Sequence, residues 1–103
     1  MALPDFSITA MDLRFLAELD RLQQAGSFAT YRELAEQLDV HPNTFGQIEI
    51  GRYHCNIKQL YQLRSFHPEA DVLWVLFGEA ETGRPEPTGA PKRGERGRPV
   101  RVH

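Results

Sequence analysis

The hydrophobic pattern in the first quarter of the chain is that of an amphipathic helix. Between residues 9 and 26 the apolar positions recur every three or four residues, so they fall on one face of a helix. These positions are Met11, Phe15, Leu16, Leu19 and Leu22. Thr9 is placed to cap the start of the helix, with Asp12 three residues on, and Gly26 is placed to end it. The pattern therefore predicts a first helix over this stretch.

Two short helical patterns follow, and only a few residues separate them. The first begins at Thr30, whose hydroxyl can cap a helix while Glu33 completes a capping box. The second begins with His41 at the cap and Pro42 at the first helical position, and Gly51 ends it. The apolar positions of the two patterns are Leu34, Ala35, Leu38, Phe45 and Ile48. The sequence thus predicts a short helix, a short turn and a second short helix.

Two further helices are predicted before residue 79. Asn56 can cap a fourth helix, which the pair His67 and Pro68 interrupts. The apolar positions of this helix are Ile57, Leu60, Tyr61 and Leu63. The run from 72 to 77 is continuously apolar and suits either a strand or a helix by composition. A lone strand among four helices would have no pairing partner, so a fifth helix is favoured and the predicted fold class is all-α.

The composition changes from Glu79 onward. The segment "EAETGRPEPTGAPKRGERGRPVRVH" is rich in Gly, Pro and charged residues and has almost nothing to bury. Such a composition is typical of a disordered segment. We therefore expect an N-terminal arm over residues 1–8, a helical domain over 9–78 and a flexible basic tail over 79–103.

Length and cysteine content indicate one small intracellular domain. A chain of 103 residues with 41% apolar content can build one modest core. Cys55 is the only cysteine, so no internal disulfide can form. No signal-peptide pattern opens the chain, and no apolar run approaches the roughly 20 residues needed to span a bilayer. A soluble, cytoplasmic protein is therefore expected.

The net charge of −2 hides an uneven distribution along the chain. Residues 1–81 carry six Lys/Arg against twelve Asp/Glu, a net charge of −6, whereas residues 82–103 carry six against two, a net charge of +4. The sequence therefore predicts an acidic body with a basic tail. Because phosphate contacts dominate affinity for DNA, an acidic body argues against a nucleic-acid partner unless its few basic residues are suitably placed.

Residues 30–78 resemble the Cro and phage-repressor helix-turn-helix family of DNA-binding domains. The segments that carry the resemblance are "TYRELAEQLDV", "NTFGQIEIGR" and "NIKQLYQLRSFHPEADVLWVLFGE". The resemblance implies a compact five-helix, lambda-repressor-like domain. It also implies a sequence-specific transcriptional regulator of the repressor type that binds double-stranded DNA with the second helix of the motif in the major groove.

Carried over position by position, the resemblance implies a set of residues that contact base edges. They are His41, Asn43, Thr44, Gly46 and Gln47. Asn and Gln present a donor and an acceptor that suit adenine N6 and N7, and the Thr methyl can contact thymine. Gly46 would let the backbone approach the DNA closely. The alternative is that these polar residues are only the solvated face of a short surface helix.

The resemblance also implies contacts to the sugar-phosphate backbone. The residues at the matching positions are Tyr31, Arg32, Arg52, Tyr53 and Lys58. Two positions depart from the family pattern, because Tyr31 stands where many relatives have Gln and Pro42 replaces a polar residue. The base preference of relatives is therefore not transferred to this chain.

The tail carries a signal of its own. Residues 96–99, "RGRP", resemble the core of the AT-hook, in which Arg side chains enter the narrow minor groove of A·T-rich DNA. The residues assigned to this contact are Lys92, Arg93, Arg96, Gly97, Arg98, Pro99 and Arg101. The 14 residues from Glu79 to Lys92 span roughly 20 Å as a flexible chain, enough to reach a groove beside the domain. The alternative is a basic tail that only improves solubility.

The remaining residues bear on dimerisation, metal binding and catalysis. Leu73 and Trp74 either close the core or form the interface of a homodimer, as the terminal helix does in many repressors that the chain resembles. His54 and Cys55 lack the spacing of a zinc site, and no catalytic motif occurs, so we expect a non-enzyme without metal, cofactor or small-molecule substrate. A protein-interaction module of the adaptor or antitoxin-like kind is the alternative function, because an acidic body suits a basic protein partner.

Overall fold

The computed structural model describes residues 6–87. This part of the chain contains six helices and no strand. The helices are α1 (Ile8–Gln24), α2 (Tyr31–Leu38), α3 (Thr44–Glu49), α4 (Ile57–Phe66), α5 (Val72–Phe77) and α6 (Glu79–Thr82). The all-α prediction is confirmed, and the apolar run of α5 is a helix. Positions 1–5 of the expected arm and 88–103 of the expected tail lie outside the described residues. None of the six helices combines the length and the apolar character that crossing a membrane requires.

The start of α1 differs from the prediction by two residues. Ser7, and not Thr9, is the N-cap, because Ser7 has an extended backbone and its hydroxyl accepts a hydrogen bond from the Ala10 amide at 3.1 Å. Thr9 lies inside the first turn of the helix. Gly26 adopts a φ of 88° just after the helix, as a glycine at a helix end commonly does.

The caps of α2 and α4 follow the local sequence closely. The Thr30 hydroxyl accepts from the Glu33 amide at 3.1 Å, whereas the Glu33 carboxylate accepts from the Ala29 amide and not from the Thr30 amide. In α4 the capping box is complete, since the Asn56 side chain accepts from the Gln59 amide at 2.9 Å and the Gln59 side chain accepts from the Asn56 amide at 3.2 Å. Both helices therefore begin where the sequence places them.

The core forms around the apolar face of α1. This helix packs against α5 and α3, and α2 packs against α4. The largest fully buried apolar side chains are Phe15, Leu19, Leu22, Leu34, Leu38, Leu63, Trp74 and Val75. Trp74 is 0% exposed, so its assignment to a dimer interface is wrong and its place is the core. Leu73, one residue earlier, is 58% exposed and remains on the surface.

The folded body extends beyond residue 78, where the tail was predicted to begin. Helix α6 follows at once, and the chain after it returns to the body. Arg84 lies against Trp74 and forms an ion pair with the buried Glu18 at 2.8 Å, and Glu86 forms an ion pair with Arg14 at 3.0 Å. Polar contacts hold this segment in place, so a search for buried apolar residues could not reveal it. We call residues 83–87 the strap.

Candidate nucleic-acid interface

An open cleft of about 370 Å³ is formed by the turn before α3, the polar face of α3 and the loop that follows α3. The residues that line it are His41, Asn43, Thr44, Gln47, Arg52 and Tyr53. Four of them belong to the predicted base-contacting set and two to the predicted backbone-contacting set. The structure thus brings together, around one concave surface, residues that the sequence assigned to two different kinds of DNA contact.

The turn before α3 places the first of these side chains. The Thr44 amide donates to the His41 carbonyl at 2.9 Å, which closes a β-turn with Pro42 at its second position. Helix α3 begins at Thr44, so Pro42 belongs to the turn and is not the first helical residue as predicted. Asn43 is the N-cap residue of α3, but its side chain makes no capping hydrogen bond. The side-chain carboxamide of Asn43 is therefore available at the exposed surface of the cleft.

The inner face of α3 anchors the helix to the rest of the domain. Phe45 and Ile48 are buried, and the Phe45 ring meets the Tyr31 ring edge-on at 5.3 Å between centroids. Thr44 and Gln47 lie on the opposite, cleft side. Gly46 is exposed, and a Cβ built there would meet nothing within 4 Å. Packing inside the domain does not require a glycine at this position.

The loop after α3 folds back onto the same cleft through one carbonyl group. The Gln47 carbonyl accepts from the Arg52 amide at 2.9 Å and from the Tyr53 amide at 3.2 Å. Gly51, with a φ of 82°, supplies the left-handed conformation that reverses the chain. As a result Arg52 and Tyr53 lie beside the polar face of α3.

A buried carboxylate on α1 holds the other end of this loop. Asp12 is 5% exposed, and its two oxygens lie 2.9 Å from the Cys55 amide nitrogen and 2.7 Å from His54 Nδ1. Burial raises the pKa of the Cys55 thiol, and a hydrogen bond to Asp12 raises it further, so the thiol stays protonated. Sequence reasoning placed Asp12 in the first turn of a helix and missed this role, because the contact joins residues more than 40 positions apart.

Three of the predicted backbone-contacting residues do not line the cleft. The Tyr31 hydroxyl hydrogen bonds to Asp20 of α1, so it is directed into the domain. Lys58 forms an exposed ion pair with Asp39 at 3.2 Å, a kind of pair that contributes little to stability. Arg32 is exposed on α2. Gly46, from the base-contacting set, also lies outside the cleft lining.

Basic groups are scarce around the site. Residues 6–87 carry seven Lys/Arg and twelve Asp/Glu, a net charge of −5. Four of the seven cations form ion pairs with Asp or Glu, namely Arg14, Arg21, Lys58 and Arg84. Within the described part of the chain, Arg32, Arg52 and Arg64 have no such partner, and of these only Arg52 lines the cleft.

The side chains that line the cleft are mostly groups that can donate or accept hydrogen bonds. Over residues 6–87, no group of three or more His, Cys, Asp or Glu side chains is arranged as a metal site. Comparison of the chain with protein-family models, with curated proteins and with solved structures returned no match. The functional assignment therefore depends on the chemistry of the cleft and of the residues around it.

Proposed function

We propose that this protein is a sequence-specific DNA-binding transcriptional regulator of the phage-repressor type. In this proposal α2 and α3 are the two helices of a helix-turn-helix, and α3 enters the major groove with its N-terminal residues toward the base edges. The observation that carries the proposal is the shared cleft, where His41, Asn43, Thr44 and Gln47 lie beside Arg52 and Tyr53.

The chemistry of the cleft suits base recognition. The side chains of Asn43 and Gln47 make no hydrogen bond to another described residue, so their amide groups are available to an outside partner. A carboxamide can donate to adenine N7 or accept from adenine N6, and it does both in a bidentate pair. The open space at Gly46 supports a close approach of α3 to the groove.

Arg52 and Tyr53 suit contacts to phosphate oxygens at the edge of the groove. Their backbone amides donate to the Gln47 carbonyl, so two residues proposed to contact phosphates lie next to one proposed to contact a base. Phosphate contacts of this kind set the register of a protein on the duplex, while base contacts select the sequence.

The scarcity of positive charge on the body gives the tail a role in this proposal. Five Lys/Arg residues lie between positions 88 and 103, namely Lys92, Arg93, Arg96, Arg98 and Arg101. They supply the phosphate attraction that a body of net charge −5 lacks, and the sequence "RGRP" suits an A·T-rich minor groove.

A homodimer would let two copies occupy two half-sites, as repressors of this type do. Leu73 and Phe77 support an interface on α5, because they are one helical turn apart and are 58% and 57% exposed. Exposed apolar pairs on one face of a helix are suited to contact with another protein surface. Trp74 takes no part in this interface, because it is buried.

A protein-interaction module is the second candidate function. The net charge of −5 over residues 6–87 favours it, as does the engagement of Lys58 with Asp39 and of Tyr31 with Asp20. A basic protein surface would then be the partner, with the helices acting as scaffold.

Selection of bound duplexes from a random DNA pool, at a stated salt concentration, distinguishes the two functions. A DNA-binding regulator enriches a motif, and the double variant Asn43→Ala/Gln47→Ala loses part of that motif. Gln24→Ala, an exposed change at the end of α1, is the matched control and should select the wild-type motif. Failure of the wild-type protein to enrich any motif would contradict the regulator and leave the interaction module.

A further inference from the structure

The turn before α3 fixes which nitrogen of His41 carries the ring proton. His41 Nδ1 lies 3.0 Å from the Asn43 amide nitrogen. A backbone amide can only donate, so Nδ1 must accept and cannot itself carry a proton. In a neutral imidazole the remaining proton is then on Nε2.

The local sequence explains why a histidine can occupy this position. In a turn of this kind the side-chain oxygen of Asn or Asp commonly accepts from the amide two residues on. Nδ1 of His41 is separated from Cα by the same number of bonds as that oxygen, so the ring replaces it. Pro42 between the two partners restricts φ and keeps the turn in place. Nδ1 of His41 thus accepts the hydrogen bond that an Asn or Asp oxygen accepts in other turns of this kind.

The other side of the ring has no partner inside the domain. His41 is exposed and lines the cleft together with Asn43 and Gln47. Nε2 makes no hydrogen bond to any residue in the range 6–87. An Asn at this position would stabilise the same turn, but its own N–H donor, on Nδ2, would lie one bond nearer the backbone than Nε2 of His41.

We propose that His41 is held as the Nε2–H tautomer and donates a hydrogen bond to an acceptor atom of DNA. This inference rests on the proposed DNA-binding function and adds the identity of one contact. The acceptor is either a base atom in the major groove, such as guanine O6 or N7, or a phosphate oxygen. Both sources offer the same chemistry, a lone pair facing an N–H group.

Two substitutions test the two roles of His41 separately, its acceptor in the turn and its donor toward DNA. His41→Asn keeps an acceptor at the position of Nδ1 and removes Nε2–H. His41→Gln keeps an N–H donor near the position of Nε2 and removes the acceptor of the turn. We expect His41→Asn to melt like the wild-type protein and to bind DNA about 3- to 10-fold more weakly, the loss expected for one hydrogen bond. His41→Gln should melt at a lower temperature and keep more of the affinity.

The tautomer is measured on the free protein by nitrogen NMR of the His41 ring, at about pH 8, where imidazoles in general are neutral. A signal from a protonated Nε2 and an unprotonated Nδ1 is expected. The reverse assignment would overturn the proposal whatever the protein binds. This measurement also stands independently of the proposed function.

Selection from the random DNA pool then identifies the acceptor. A change of preference at one base pair in His41→Asn supports a base contact, and an equal loss on all sequences supports a phosphate contact. A wild-type protein that enriches a motif and a His41→Asn variant with the same motif and affinity would overturn the donor role alone. A wild-type protein that enriches no motif would overturn both this role and the proposed function. If His41→Asn does not fold, His41→Gln decides, because full retention of the turn's stability in that variant contradicts the geometry.

Discussion

The guanidinium group of Arg84 lies over the indole ring of Trp74, with the guanidinium carbon 3.7 Å from the ring centroid. The Trp74 indole N–H donates to the Arg84 carbonyl at 3.0 Å, so the two residues are joined twice. Arg84 also reaches Glu18 and Asp71. The strap therefore covers the buried Trp74 ring and places a positive charge beside the buried Glu18 carboxylate.

Truncation on either side of the strap tests this arrangement. Ending the chain after Glu81 removes the cation–π contact, worth about 0.5 to 2 kcal/mol, and a charge-assisted bond to Glu18, worth about 1.5 to 3 kcal/mol. We expect a loss of about 2 to 5 kcal/mol in the free energy of unfolding, measured by urea denaturation. Ending the chain after Pro87 keeps the strap and should change the free energy of unfolding by less than about 0.5 kcal/mol. Equal stability of the two truncated proteins would show that the strap does not contribute.

Trp74 and Leu73 differ in burial and should differ in their effect on stability. Trp74→Ala removes a fully buried aromatic ring and should cost about 3 to 5 kcal/mol. Leu73→Ala changes an exposed side chain and should affect the isolated chain little. Thermal melts at several protein concentrations separate core from interface, because a dimer has a concentration-dependent midpoint that Leu73→Ala abolishes. A Trp74→Ala protein as stable as the wild type would contradict its place in the core.

Glu18 makes the stability of the domain depend on pH. Burial raises the pKa of this carboxyl, but hydrogen bonds from Arg21, the Asp71 amide and Arg84 outweigh burial and lower it overall. A carboxyl with a lowered pKa in the folded state stabilises the protein above its unfolded pKa, about 4.3. That stabilisation is lost as the pH falls through the folded-state pKa. Acid should therefore weaken the fold.

Substitution of Glu18 by Gln checks this dependence. The variant should be less stable near neutral pH by about 3 to 5 kcal/mol, because its cationic partners lose a buried charge. Its stability should fall less steeply than that of the wild type between about pH 5 and pH 2. Glu36→Gln, at an exposed position, is the control and should follow the wild-type curve. An identical acid dependence of Glu18→Gln and wild type would assign the pH effect to other carboxyls.

The basic tail is expected to contribute to the salt dependence of DNA binding. Truncation after Pro87 removes five Lys/Arg and one Glu while it keeps the strap. If four to five of these cations contact phosphates, the slope of log K against log salt should flatten by roughly 4, at about 0.9 per contact. The full-length protein should also prefer sites flanked by A·T tracts. Equal slopes and equal flank preference in the two proteins would mean that the tail does not bind DNA.

Local chemistry explains which parts of the fold were predictable. Thr30, Asn56 and Gly51 act through residues that are three or four positions away, so the sequence alone places these helix ends. The contacts of Asp12 with Cys55 and of Arg84 with Glu18 each join residues more than 40 positions apart, and no local pattern indicates such a contact. The one-turn helix α6 was missed because it buries no residue and polar contacts hold it, such as the hydrogen bond from the Glu79 amide to the Glu86 carboxylate at 2.9 Å.

The candidate site likewise combines positions that the sequence predicts with positions that it does not. The polar face of α3 follows from helical periodicity, and four of the residues assigned to base contacts lie together in the cleft. The positions of Arg52 and Tyr53 depend on a carbonyl that accepts two hydrogen bonds, which a residue pattern does not reveal. Tyr31 was assigned to the DNA backbone by its position in the motif. Its hydroxyl instead meets Asp20, which the sequence places on a different helix.

Competition binding on the selected duplex and on a scrambled duplex tests directly whether α3 contacts bases. Asn43→Ala and Gln47→Ala should each weaken binding to the selected duplex by about 1 to 3 kcal/mol and relax selectivity at one base pair, while affinity for the scrambled duplex stays nearly constant. Gln24→Ala should bind both duplexes like the wild-type protein. Equal weakening of Asn43→Ala and Gln47→Ala on both duplexes would contradict sequence recognition by α3.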